Sequence, residues 1–159
     1  MTSVRVWVAV AMMAGLGCGV RQSGAPMTAA EAEAVIRGVR AFGEDVAREV
    51  TQEGVGAWGR YFEEGPGFFM ATDGKLEFAS GMAAKTALPG IAIGIKKIEL
   101  RWEGAMRVDA LAPGMASVGA AYHEARVDAA GKRVEEDGYF TALGNSNFIK
   151  ASIVFDELI

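Results

Sequence analysis

Apolar residues recur at helical spacing early in the chain. Val35, Val39, Phe42, Val46 and Val50 follow at steps of four, three, four and four. They form one stripe of a helix from about Ala29 to Gln52, with Arg37, Arg40, Glu44 and Arg48 off the stripe as a solvated face. Thr28 and Glu31 have capping-box spacing, in which each side chain bonds the other's backbone N–H, so the helix opens at Thr28. Gly54 interrupts the pattern. Val55, Trp58 and Phe62 then share a face of a second helical stretch reaching about Glu63, with Tyr61 beside them. Gly65-Pro66-Gly67 forces a turn. Phe68 to Ala71 and Lys75 to Phe78 flank Thr72-Asp73-Gly74, a hairpin signal in which Asp73 bonds its own turn backbone. Ser80 starts a third, weaker helix to about Ile95, bent or broken at Pro89.

The period then changes from helical to alternating. Ile98, Leu100 and Trp102 alternate with Glu99 and Arg101. Met115 to Asp128 reads as the longest strand. Ser117, Gly119, Ala121, His123, Ala125 and Val127 lie on one face, and Val118, Ala120, Tyr122, Glu124, Arg126 and Asp128 on the other. The charges on the second face mark it as the outer one and place His123 inward. After a turn at Ala129 to Lys132 come strands from Arg133 to Leu143 and from Phe148 to Phe155. Helices first and a strand meander afterwards predict an α+β domain with an antiparallel sheet.

The first residues carry an address. Arg5 precedes Val6 to Gly17, twelve uncharged residues that are too few to span a bilayer and suit a signal-peptide core. Cys18 follows Gly17 directly, as in the bacterial lipobox, where the cysteine is lipidated and becomes the first residue. Gly15 replaces the usual Leu three positions earlier. A rival cut after Ala25 would leave Pro26 first. The expected organisation is a signal peptide over 1–17, a linker over 18–27 and one domain over 28–159. The protein is expected to be exported, as an anchored lipoprotein or free in the periplasm or medium.

Composition narrows the chemistry. The 159 residues carry a net charge of −4 with pI near 5.1, which excludes the basic footprint of a nucleic-acid binder. One cysteine excludes a disulfide scaffold, and one histidine excludes a site built on two His ligands, so no metal is expected. Gly54, Gly56 and Gly59 spell GxGxxG, but a helix precedes them and no βαβ unit surrounds them, so no dinucleotide cofactor is expected.

The order of elements also resembles a known superfamily. AWGRYF (Ala57 to Phe62), FFMATDGKLEF (Phe68 to Phe78), IELRW (Ile98 to Trp102), YHEARVD (Tyr122 to Asp128) and EDGYFTAL (Glu136 to Leu143) are similar to segments of nuclear transport factor 2-like proteins, more narrowly the SnoaL-like domains. Phe148 stands where relatives carry a Trp in the closing strand. The resemblance implies a cystatin-like cone, a curved antiparallel sheet wrapped on about three N-terminal helices with a pocket at its open end. Its members include isomerases, cyclases and dehydratases as well as proteins that only bind or assemble.

Two functions follow as expectations. The first is an exported domain that binds a small apolar ligand or serves as an assembly module. The second is a cofactor-free isomerase, cyclase or hydrolase using His123 as the titrating group with a carboxylate or Tyr. Trp58, Tyr61, Trp102, His123 and Tyr139 are the expected pocket residues, the aromatic rings suiting an apolar cavity with one wet edge. Glu135, Glu136 and Asp137 are expected to be a solvated strand end. A homodimer is expected through the outer sheet face carrying Val118, Ala120 and Tyr122 with a rim of Glu124 and Arg126.

Overall fold

The computed structural model describes residues 26–64, 68–72, 75–145 and 148–157. Cys18 and the Asp73-Gly74 turn lie outside them. The chain opens with helix α1 (Ala29–Glu53). Its capping box is present: Glu31 N–H donates to Thr28 Oγ1 at 3.2 Å, and Thr28 N–H donates to Glu31 Oε2 at 2.8 Å. Val35, Val39, Val46 and Val50 are buried, as their spacing requires. Gly54 ends the helix at φ 87°, a conformation that favours glycine, so the first glycine of the GxGxxG string is a helix stop. The second helical stretch is a tight 3-10 helix (Val55–Arg60).

Strands β1 (Met70–Thr72) and β2 (Lys75–Phe78) form the hairpin. Helix α2 (Gly81–Gly94) follows, capped by Ser80, and runs through Pro89 without interruption. Then come β3 (Ile95–Ala112), β4 (Met115–Asp128), β5 (Arg133–Asn145) and β6 (Phe148–Glu157). The sheet order is β2-β1-β6-β5-β4-β3, antiparallel throughout except that β1 runs parallel to β6.

The longest strand is β3, not β4. The sequence reading takes the alternation only from Ile98 to Trp102. The ladder continues past it through a bulge between Glu103 and Arg107, with Gly104 at φ 71°. A bulge inserts residues without ending the ladder and bends the strand. Beyond it the apolar alternation resumes at Val108 and Ala110.

Helix α1 lies across the sheet on one face. Trp102 Nε1–H donates to the Gly43 carbonyl at 2.7 Å, and Thr51 Oγ1 accepts from Leu100 N–H at 2.9 Å. Gly43 lets the Met106 side chain lie close at this crossing; a Cβ there would come 2.4 Å from the Met106 methyl group, which would have to swing aside. The face under α1 carries Ile98, Leu100, Val108, Ala116, Val118, Ala120, Tyr122, Phe140 and Ala142, all buried. Val118, Ala120 and Tyr122 are therefore on the concave face, where an outer dimer surface was expected. The alternation along β4 is as read, but its two faces are exchanged.

Candidate functional site

Two apolar spaces open between the helices and the concave face, and size separates them. The deeper one, about 30 Å3, is lined among others by Phe42, Val46, Trp58, Tyr61, Trp102 and Met106. That is the share of a single water in the liquid. The second, about 180 Å3, lies at the mouth of the cone between the 3-10 helix, the hairpin, α2 and β3–β5. A dry cavity of roughly 150 Å3 accepts a benzene ring, so of these two spaces it is the mouth pocket that has room for a small organic molecule.

Its walls are apolar on three sides. The 3-10 helix and the residues after it contribute Val55, Trp58 and Phe62, β2 contributes Phe78, and α2 contributes Leu88 and Ile91. Trp58 and Phe62 stack at 6.1 Å. The fourth side is polar and comes from β4 and β5, where alternation aims Tyr122, Glu124 and Arg126 inward beside Glu136, the partner of Glu124 in register. Tyr122 has space for its ring because the residue opposite it is Gly138, where a Cβ would meet the ring at 2.5 Å.

Glu136 is fully engaged: Tyr122 Oη–H donates to Oε1 at 3.0 Å, and Arg126 Nη2–H donates to Oε2 at 2.7 Å. Glu124 is not. Its Oε1 lies 3.3 Å from Arg126 Nε, and among the described residues its Oε2 has no hydrogen-bond partner. Burial holds the Glu124 carboxyl above the usual carboxylate range; Arg126 opposes this and Glu136 reinforces it. Burial and the Glu136 carboxylate likewise raise the Tyr122 phenol, which stays protonated and donating. A desolvated carboxyl with a free oxygen can donate or accept a hydrogen bond and can carry a proton. Among the described residues no three His, Cys, Asp or Glu side chains converge to hold a metal ion.

The expected pocket residues divide between two faces. Trp58 lines both cavities, and Tyr61 and Trp102 line the small one. The Tyr61 hydroxyl turns outward and donates to Glu49 at 2.6 Å. His123 and Tyr139 lie on the convex face, away from the cavity, which corrects their expected placement. His123 Nδ1 is 2.6 Å from Oδ1 of Asp137, opposite it in register. The Tyr139 ring lies over Gly119, where a Cβ would come 2.6 Å from its hydroxyl. The acidic run splits the same way: Glu135 and Asp137 are exposed, while Glu136 reaches the pocket. Charge on Glu124 and Arg126 misled the face assignment, because Arg126 pairs inside the cone with Glu136 brought alongside from β5. The better signal was bulk. Val118 and Tyr122 need a partner layer, whereas Ser117, Gly119 and Ala121 do not.

No family model and no curated protein matches the sequence. Solved structures do match. A nuclear transport factor 2-like superfamily protein from Salmonella enterica serovar Typhimurium superposes with a TM-score of 0.63 at 8% identity, over 84% of this chain and 94% of that one. The chain has the nuclear transport factor 2-like fold. A protein of this fold of unknown function from Shewanella oneidensis MR-1 gives 0.57 at 10% identity, covering 77% and 98%. LinA type 2, a hexachlorocyclohexane dehydrochlorinase, gives 0.64 at 7% identity, covering 82% and 88%. At these identities the likeness is one of fold, and the cone of the nuclear transport factor 2-like fold hosts both enzymes and proteins of unassigned role.

Proposed function

We propose that the protein binds a small, largely apolar molecule with one polar group in the pocket at the mouth of the cone. The observation that supports this most is the unpartnered Glu124 oxygen in a chamber otherwise lined by apolar and aromatic side chains. This oxygen faces the pocket rather than being sealed in the core, so a ligand's donor can reach it. Isothermal titration with benzyl alcohol tests the reading. Saturable binding is expected, and Ile91→Trp, which fills the pocket from its half-open wall, should abolish it while the melting temperature stays near wild type. Equal binding by the filled variant, or no saturable binding at all, would refute the site.

A proton-transfer enzyme is the second reading, favoured by the raised Glu124 carboxyl. In that reading Glu124 takes the role expected of His123, with Tyr122 holding Glu136 beside it. Cyclohexanone in deuterated buffer would then exchange its α-protons faster with wild type than with Glu124→Gln. Identical exchange in the two would leave binding alone.

The place of action is part of the proposal. The apolar run Val6 to Gly17 followed by Cys18 supports export and lipid anchoring, and no described helix is long and apolar enough to cross a membrane. Expressed in a bacterium with labelled palmitate, the wild type should take up label and sediment with membranes. Cys18→Ser should do neither, and labelling of the variant would sink the idea.

A further inference from the structure

The pocket's charge and its aromatic walls point the same way. Two carboxylates, Glu124 and Glu136, face a single cation, Arg126, and no other charged side chain lines the cavity. Arg126 is shared between them: its Nη2–H donates to Glu136 at 2.7 Å and its Nε lies 3.3 Å from Glu124, while Tyr122 donates to the other Glu136 oxygen at 3.0 Å. The carboxylates therefore outnumber the cation at this wall. An anionic ligand would have to approach two carboxylates to reach the one guanidinium that both already engage. The same pocket is lined by the aromatic rings of Trp58, Phe62, Phe78 and Tyr122. Aromatic side chains next to a carboxylate suit an ammonium group, through ion pairing at the carboxylate and attraction to the electron-rich rings.

We infer that the cone-mouth pocket is a site for a small organic cation, a primary or quaternary ammonium carried on an apolar body of about one ring. This rests on the reading of that pocket as the ligand site and names its ligand class. The ammonium sits at Glu124 Oε2 and the apolar body lies against Leu88 and Ile91 of α2. The titratable or charged groups that face Glu124 are Arg126 and Tyr122 on its own strand and Glu136 on β5. The 3-10 helix and α2 present no titratable side chain to the pocket, and β1 adds Met70 and Thr72. Where Glu124 is protonated in the empty pocket, a cation binds with release of that proton to solvent, leaving a carboxylate–ammonium pair. Binding of a cation should then strengthen as pH rises, whereas binding of a neutral analogue should not.

A matched series of one-ring probes separates the possibilities. Benzylamine, benzyl alcohol and benzoate have the same apolar body and differ in charge. At neutral pH, calorimetry on the wild type should rank benzylamine about tenfold or more above benzyl alcohol, with benzoate weakest. Glu124→Gln, isosteric and uncharged, should erase the benzylamine preference. If benzyl alcohol or benzoate binds as well as benzylamine, the cation assignment is wrong and the pocket reading stands. If benzylamine leads but Glu124→Gln leaves its lead intact, the assignment to Glu124 is wrong. If none of the three binds, both the assignment and the pocket reading fall.

Discussion

Glu124 is the residue on which the chemistry turns. Its side chain is only 16% exposed, and burial raises its carboxyl while Arg126 partly restrains the shift. The folded protein thus holds a proton that the unfolded chain has already released. That contribution to stability is present below the unfolded value and is lost as pH rises through the raised folded one. Glu124→Gln should flatten this part of the profile, removing the loss of stability as pH rises above the ordinary carboxyl range. Chemical denaturation across that rise checks it, and parallel profiles for variant and wild type would contradict it. The sequence showed Glu124 and Arg126 two residues apart on one side of a strand. It did not show which side, because a charged pair reads as solvated until its partners Tyr122 and Glu136 are brought alongside from across the sheet.

At the scale of elements, periodicity identified nearly every helix and strand, and the exceptions have local causes. Helix α1 was legible because its valines and capping box agree on one answer. Strand β3 runs longer than its alternation from Ile98 to Trp102 shows, because pairing with β4 carries the strand through the Gly104 bulge. The junction before α2 has a tighter demand that no pattern reveals. A Cβ on Gly81 would sit 1.5 Å from the Glu63 carbonyl oxygen, a backbone atom that cannot swing away as a side chain can. Gly81→Ala should therefore move the start of α2 and destabilise the protein by about 2 kcal/mol or more. Because Leu88 and Ile91 follow on the same helix, the variant should also bind pocket probes more weakly. A melt unchanged from wild type would show that the junction is looser than its geometry.

For the whole molecule, element order was enough to anticipate the cone, since helices followed by an antiparallel meander leave few ways to cover one sheet face. The site was less legible, because it depends on which face α1 covers. Exchanging the faces of β4 moves His123 out and Glu124 in, and with them the centre of any chemistry. The convex face that His123 occupies is marked by ion pairs within strands: Lys97 with Glu99, Arg101 with Glu103, Arg107 with Asp109 and Arg133 with Glu135. Such exposed pairs add little stability but keep the face hydrated. The most direct test is a titration of the isotopically labelled protein with benzylamine, followed by amide and side-chain chemical shifts. The account predicts saturable shifts at Trp58, Leu88, Ile91, Tyr122 and Glu124, with His123 and Tyr139 unmoved. Shifts confined to His123, Asp137 and Tyr139, with the cone mouth silent, would contradict it.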